Sequence, residues 1–226
     1  MLAPMALETL ELQSGDHPVA SIVVLHGLGA DGNDFVPIAE QLDLSAVGPV
    51  RFVFPSAPVR PVTINAGYRM RAWYDILGSD LVRREDEAGL RESAAEIQAL
   101  LDRELARGIA PERTVLMGFS QGCAMALMVG LRAPQRLAGL VAWSGYLPLA
   151  ASTAAERSPA NAGLPILMGH GRLDAMVAPA KGQAARDMLL ALGYPVQWHD
   201  YPMAHSVCPD EITDLNRWLL QVLAPA

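Results

Sequence analysis

The stretch that decides the fold is Val115-Leu116-Met117-Gly118-Phe119-Ser120-Gln121-Gly122. Its apolar run enters a Gly-x-Ser-x-Gly pentad, and residues 123–131 continue as a helix-like segment. Strand, sharp turn and helix form the context that a nucleophile-elbow motif requires. Such a turn strains the serine backbone, and the positions two before and two after it need glycine because they crowd the backbone. The stretch predicts Ser120 as a candidate nucleophile; in the alternative interpretation, its two glycines only pack a helix against a strand.

Composition and charge limit the class of protein. The 226 residues are 51% hydrophobic and 18% charged, which is typical of a globular chain with a large core. A net charge of -7 gives no support for a nucleic-acid partner. Two cysteines are too few for a disulfide framework. The first ten residues lack a secretory pattern and no apolar stretch reaches about 18 residues, so we expect a soluble cytoplasmic protein without a membrane span.

Strand-like and helix-like segments alternate along the chain. Residues 21–25 form a continuous apolar run, which is typical of a strand covered on both faces. Further strands are predicted at residues 9–13, 51–55, 137–143, 164–171 and 196–201. Further helices are predicted at residues 33–42, 87–107, 179–192 and 210–223. This alternation predicts an α/β fold with a mostly parallel, doubly wound sheet, helices on both faces and one domain over residues 1–226.

Residues 56–89 have no clear period and contain three aromatic side chains, among them Trp73. Long irregular connections in compact domains are usually functional, so we interpret this segment as a lid or pocket wall. Trp73 is a candidate for the wall of a substrate pocket, and core packing under the loop is an equally good interpretation. Leu77 and Met176 are candidate pocket residues, because loops at the strand ends face the serine.

A serine hydroxyl needs a base, and the base needs an orienting carboxylate. His205 lies in a loop just after a predicted strand, at the sheet edge where catalytic groups of open α/β sheets gather. His170 precedes the best acid, and His199 lies inside a strand with little reach. Asp174 follows another strand at the same edge, and its expected role is to fix the imidazole tautomer. The alternatives are a surface histidine that caps the last helix and an aspartate that only stabilises a turn.

The tetrahedral intermediate of such a reaction carries an oxyanion that needs backbone donors. One donor is the N–H group of the residue after the nucleophile, which is Gln121. The second is expected from the loop His26-Gly27-Leu28-Gly29, with Leu28 as the most plausible residue.

Six motifs together resemble those of a known family. They are Leu25-His26-Gly27-Leu28-Gly29, Arg71-Ala72-Trp73-Tyr74-Asp75, Glu85-Asp86-Glu87-Ala88-Gly89, Gly118-Phe119-Ser120-Gln121-Gly122, His170-Gly171-Arg172-Leu173-Asp174 and Met203-Ala204-His205-Ser206. Over about residues 21–220 the chain resembles the carboxylesterase and acyl-protein thioesterase branch of the α/β hydrolases. The resemblance implies the α/β-hydrolase fold, the triad Ser120, Asp174 and His205, and the oxyanion donors Leu28 and Gln121. It also implies hydrolysis of esters or acyl thioesters without a metal or cofactor, by a monomer or homodimer.

The chain departs from the family pattern at two residues and one short segment, without losing a catalytic group. The family commonly has glycine where Cys123 and Ala204 stand, and a different sequence at residues 176–179. We expect an acyl-enzyme on Ser120 and a small-molecule substrate with a short to medium acyl chain, because the predicted pocket wall is one modest loop. The alternatives are a lysophospholipase or dienelactone-hydrolase-like activity, and a binding protein that has lost catalysis.

Overall fold

The computed structural model describes residues 7–78 and 84–224, and its centre is a seven-stranded sheet. The strands are β1 (Thr9–Gln13), β2 (Ala20–Leu25), β3 (Val50–Pro55), β4 (Val59–Val62), β5 (Tyr68–Arg71), β6 (Thr114–Phe119), β7 (Gly139–Trp143), β8 (Ile166–Gly171) and β9 (Val196–Tyr201). The helices are α1 (Val36–Ala39), α2 (Glu87–Ala106), α3 (Gln121–Gly130), α4 (Ala150–Glu156), α5 (Pro179–Ala191) and α6 (Pro209–Val222).

The main sheet has the strand order β1-β3-β2-β6-β7-β8-β9. The edge strand β1 runs antiparallel to β3, and every other neighbouring pair in this sheet is parallel. All six residues of β2 are buried, as expected for a central strand without polar alternation. The prediction of a mostly parallel sheet is therefore confirmed.

Helices cover both faces of this sheet. One core cluster joins the sheet to α2, α3 and α5 through side chains such as Ile97, Met125 and Leu189. The second cluster lies on the other face and includes Leu215 and Trp218 of α6. The sheet is therefore doubly wound, as predicted. Within the described ranges, no helix is long and apolar enough to cross a membrane.

The largest error in the predicted elements concerns residues 33–42. Only Val36–Ala39 forms an α-helix there, because the preceding residues form turns. The Asp31 carboxylate accepts hydrogen bonds from both the backbone and side-chain N–H groups of Asn33. Such local bonds compete with a helical backbone. The other predicted helices agree with the structure to within two residues at each end, whereas α4 is absent from the prediction.

The irregular segment at residues 56–89 contains a second, two-stranded sheet. β4 and β5 pair as an antiparallel hairpin, and Gly67 takes a φ of 76° in its turn. Trp73 and Tyr74 follow the hairpin and are buried. Asp86 then caps α2 by accepting a hydrogen bond from the Gly89 N–H at 3.0 Å. Residues 79–83 of the predicted lid lie outside the described residues.

Candidate active site

Ser120 alone forms the turn between β6 and α3. Its backbone has φ 56° and ψ -117°, a conformation that residues other than glycine rarely adopt. A Cβ atom on Gly118 would overlap the carbonyl oxygen of Gly122, and one on Gly122 would overlap the carbonyl oxygen of Leu25. Both positions therefore have room only for glycine. The turn directs the serine hydroxyl to the edge where the parallel strands end.

His205 connects the other two residues of the predicted triad. Its Nε2 atom lies 2.8 Å from Ser120 Oγ, and its Nδ1 atom lies 2.7 Å from Asp174 Oδ2. Because a carboxylate only accepts hydrogen bonds, Nδ1 carries the proton and Nε2 is free to accept from the serine hydroxyl. The ring of Phe119 packs against His205, with the ring centroids 4.8 Å apart. The structure thus brings the three predicted side chains into one hydrogen-bonded chain.

Asp174 is fixed by the loop that follows β8. Its Oδ1 atom accepts hydrogen bonds from the backbone N–H groups of Met176 and Val177, both at 2.8 Å. The carboxylate is buried, although the neighbouring Met176 is 76% exposed. One oxygen of Asp174 thus fixes the turn, and the other is available to His205.

The remaining downstream histidines contact other groups. His170 Nε2 lies 2.9 Å from the carbonyl oxygen of Val177 and 3.4 Å from Asp174 Oδ2. The hydrogen bond to the Val177 carbonyl requires a proton on Nε2. His170 therefore supports the loop that carries Asp174. His199 lies on β9, with its Nδ1 atom 3.3 Å from Asp214 Oδ2. Neither histidine is hydrogen-bonded to the serine.

The loop after β2 passes directly beside Ser120. A Cβ atom on Gly27 would lie 3.3 Å from the Cβ of Ser120. The Gly27 carbonyl accepts from His26 Nδ1 at 2.7 Å and from the Ala30 N–H at 3.3 Å. Because a trans peptide is planar, the N–H group of Leu28 points away from these two donors. The loop conformation thus leaves the Leu28 N–H on the opposite side from His26.

Gln121 is the first residue of α3, so its backbone N–H has no acceptor within the helix. This N–H belongs to the residue directly after the serine. The Gln121 side chain is buried and bridges a separate segment. Its Oε1 atom accepts from the Trp73 N–H, and its Nε2 group donates to the Tyr74 carbonyl, both at 2.8 Å.

His26 is a buried histidine that sequence reasoning did not single out. Its Nε2 atom accepts from the backbone N–H of Ala57 at 2.9 Å, so the proton is on Nδ1. Burial lowers the pKa of His26, which favours this neutral tautomer. The available signal was its position inside the His-Gly motif at the end of a buried strand.

The three predicted pocket residues lie in different environments. Trp73 is fully buried, so of the two interpretations given above its indole fits core packing rather than the pocket wall. Leu77 lines a shallow cavity together with Tyr74, Glu85 and Tyr146. Met176 is exposed beside the acid loop.

Cys123, a departure from the family pattern, is fully buried one helical turn after the serine. Burial raises the pKa of its thiol, which makes the thiolate inaccessible. A Cβ atom on Gly145 would overlap the Cys123 sulfur, so the side chain is closely packed. This environment is that of a structural cysteine.

Known proteins resemble this chain over nearly its whole length. A family model described as Phospholipase/Carboxylesterase matches residues 7–223. The chain is 41% identical to acyl-protein thioesterase 1 of Mycosarcoma maydis, over 96% of this chain and 98% of that protein. It is 38% identical to acyl-protein thioesterase 1 of Neurospora crassa, over 90% of this chain and 87% of that protein.

Solved structures show the same similarity. Acyl-protein thioesterase 2 of Zea mays superposes with a TM-score of 0.83 and 32% identity, covering 96% of this chain and 99% of that chain. SOBER1 of Arabidopsis thaliana superposes with a TM-score of 0.85 and 33% identity, covering 90% and 99% of the two chains. The chain therefore belongs to the phospholipase/carboxylesterase family of α/β hydrolases.

Proposed function

We propose that this protein is a serine hydrolase that cleaves carboxylic esters and acyl thioesters through an acyl-enzyme on Ser120. The observation that carries the proposal is the hydrogen-bonded chain from Ser120 through His205 to Asp174. The matched relatives named acyl-protein thioesterase support thioesters as one of the two substrate classes.

In the proposed acylation step, Ser120 Oγ attacks the substrate carbonyl while its proton moves to His205 Nε2. Asp174 accepts the hydrogen bond from Nδ1 and stabilises the imidazolium that forms. The negative charge on the carbonyl oxygen is received by the N–H groups of Gln121 and Leu28. Collapse of the tetrahedral intermediate breaks the bond to the leaving group, and His205 returns the proton to the departing alcohol or thiol.

Deacylation repeats these steps with water. His205 Nε2 takes a proton from water, the resulting hydroxide equivalent attacks the acyl carbonyl, and the same two N–H groups receive the charge. The second collapse releases a carboxylic acid and restores the Ser120 hydroxyl. No residue beyond the three side chains and two backbone donors is needed for the proton balance.

The finer properties stay proposals. We propose a preference for short to medium acyl chains, because the predicted pocket wall is one modest loop. We also propose one domain over residues 1–226, with residues 56–89 contributing to the pocket wall through Leu77, and with Met176 of the acid loop as a further pocket residue. A cytoplasmic location and a monomer or homodimer follow from the sequence expectation.

The decisive experiment compares Ser120→Ala with Ser144→Ala on p-nitrophenyl esters and acyl-coenzyme A thioesters of graded chain length. Ser144 is a matched control, because like Ser120 it has a positive φ, of 50°, and its buried hydroxyl has no hydrogen-bond partner among the described residues. We expect Ser120→Ala to lose at least about 10⁴-fold in kcat on both substrate classes and Ser144→Ala to stay within about threefold of the unmodified protein.

A fluorophosphonate probe gives a second readout that does not depend on the substrate. It should label the unmodified protein and Ser144→Ala, and leave Ser120→Ala unlabelled. Turnover that persists in Ser120→Ala would contradict the proposed mechanism. An unmodified protein that neither reacts with the probe nor turns over any substrate would favour a binding protein.

A further inference from the structure

Trp73 contacts both segments that carry the proposed oxyanion donors. Its indole Nε1–H donates to the carbonyl oxygen of His26 at 2.9 Å. Its backbone N–H donates to Gln121 Oε1 at 2.8 Å. The carbonyl of Trp73 in turn accepts a hydrogen bond from the buried hydroxyl of Ser93 on α2. Trp73 therefore connects the loop after β2, the start of α3 and the helix α2.

The indole bond constrains the direction of the Leu28 N–H. The carbonyl of His26 is held by Trp73, and the next carbonyl, that of Gly27, is held by the His26 ring. Two successive peptide planes of the loop are thereby fixed. Because each plane is rigid, the orientation of the following N–H group is fixed as well.

The same residue constrains the other donor. The Gln121 side chain is held at both ends by the backbone of Trp73 and Tyr74. This fixes the position of Gln121 at the first turn of α3, where its own N–H is directed away from the helix. Trp73 is thus hydrogen-bonded to the segment of each donor.

The indole N–H of Trp73 has a role besides the packing of its ring, because it is the donor to the His26 carbonyl. Trp73 is fully buried, and its ring lies against the His26 ring with the centroids 5.3 Å apart. The His26 carbonyl is buried with it. If the indole N–H were removed, this buried carbonyl would lose its donor, and the loop would gain freedom to rotate the peptide.

We propose that Trp73 is a positioning residue of the oxyanion hole, which acts by fixing the backbone of residues 26–28 and of Gln121 in the geometry that receives the transition-state charge. The inference rests on the proposed function of the same site. A small error in the direction of a donor weakens its interaction with the oxyanion more than it weakens ground-state binding.

The test uses Trp73→Phe, which keeps an aromatic ring and removes the N–H group. We expect kcat to fall about 10-fold or more, which is less than the loss of a whole donor, while KM changes by no more than about twofold. An alkyl boronic acid, whose adduct with Ser120 mimics the tetrahedral intermediate, should bind more weakly by the same factor as the loss in kcat/KM. The control is Trp218→Phe, a buried tryptophan on the opposite face of the sheet, which should change neither quantity.

A second variant separates the N–H group from the shape of the ring. Benzothienylalanine at position 73 replaces only the indole N–H with sulfur, so it reports on the hydrogen bond even if Trp73→Phe fails to fold. Normal kcat and boronic-acid affinity in this variant would overturn the inference and leave Trp73 a packing residue. Turnover that persists in Ser120→Ala would instead contradict the proposed function, so the two failures are distinguishable.

Discussion

The Nδ1 atom of His205 and the Oδ2 atom of Asp174 lie 2.7 Å apart, although 31 residues separate them in the chain. The other oxygen of the carboxylate is held by two backbone N–H groups, so the acid cannot rotate away from the histidine. The His205 tautomer with its proton on Nδ1 therefore depends on one acceptor, the Oδ2 atom of Asp174.

Asp174→Asn therefore should leave the fold intact and remove most of the activity. The amide can present an N–H to His205, which favours the tautomer with its proton on Nε2 and leaves no base for the serine. We expect kcat to fall about 10⁴-fold with KM nearly unchanged, by analogy with other serine hydrolases. Steady-state kinetics on one ester and one thioester measure this. Asp187→Asn on α5 is the control, and equal activity in the two variants would exclude Asp174 from the proposed triad.

The backbone conformation of Ser120 predicts that glycine at this position is more stable than alanine. Its positive φ costs a residue with a Cβ atom about 1–2 kcal/mol, and glycine avoids this cost. Ser120→Gly and Ser120→Ala both lack the hydroxyl, so their difference isolates the backbone term. We expect Ser120→Gly to have the higher free energy of unfolding by about 1 kcal/mol in urea denaturation. Equal stability of the two variants would show that the turn is unstrained.

The close contact of α3 with β2 makes Gly122 intolerant of any side chain. A methyl group there would overlap the Leu25 carbonyl and approach that of His26, and neither backbone can move without disturbing the central strand. Gly122→Ala should lose about 2 kcal/mol or more of unfolding free energy, together with most of its turnover. Gly78→Ala is the control, because a Cβ atom at Gly78 meets no atom of the described residues within 4 Å. Unchanged melting temperature and kcat in Gly122→Ala would contradict the structure.

Glu211 predicts a pH dependence of stability. It is fully buried, neither carboxyl oxygen has a hydrogen-bond partner among the described residues, and one of them faces Gly169. Burial, with a smaller contribution from the charge of Asp214, raises the pKa of Glu211 from 4.5 to about 8. Between these two pH values the unfolded chain has lost this proton while the folded chain keeps it, so rising pH favours unfolding by up to about 1.4 kcal/mol per pH unit.

The test is urea unfolding of the unmodified protein and of Glu211→Gln from pH 4 to pH 9. The variant cannot ionise at this position, so we expect it to be the more stable protein at pH 8 by on the order of 4 kcal/mol, with the difference vanishing near pH 4. Glu112→Gln removes an exposed carboxylate and should not change the slope. A constant difference across the pH range would show that Glu211 is ionised in the fold.

The sequence predicted the sheet and the location of the three triad candidates because local constraints encode both. Gly118 is required by its contact with the Gly122 carbonyl and Gly122 by its contact with the Leu25 carbonyl, but both glycines lie two residues from Ser120, so the requirement is visible as a motif. Asp174 and His205 were found because each follows a predicted strand at the same sheet edge. The two candidates were therefore predicted from their order after Ser120 in the chain and from their positions at the ends of strands.

Trp73 and His170 show what sequence patterns could not supply. An aromatic residue in an irregular segment has no periodicity, and the acceptor of the Trp73 indole N–H is a carbonyl 47 residues away. The role of His170 depends on the Val177 carbonyl, which only the folded turn brings within reach. Long-range bonds between side chain and backbone leave no local signal in the sequence.

The order of the strands also has a consequence for the protein during its synthesis. β9 pairs only with β8 at the edge of the main sheet, and His205 follows it, whereas Ser120 belongs to the centre of that sheet. Because synthesis proceeds from the N-terminus, Ser120 leaves the ribosome well before His205. Through that interval the proposed nucleophile lacks its proposed base, so we expect no acyl adduct on Ser120 before β9 has joined the sheet.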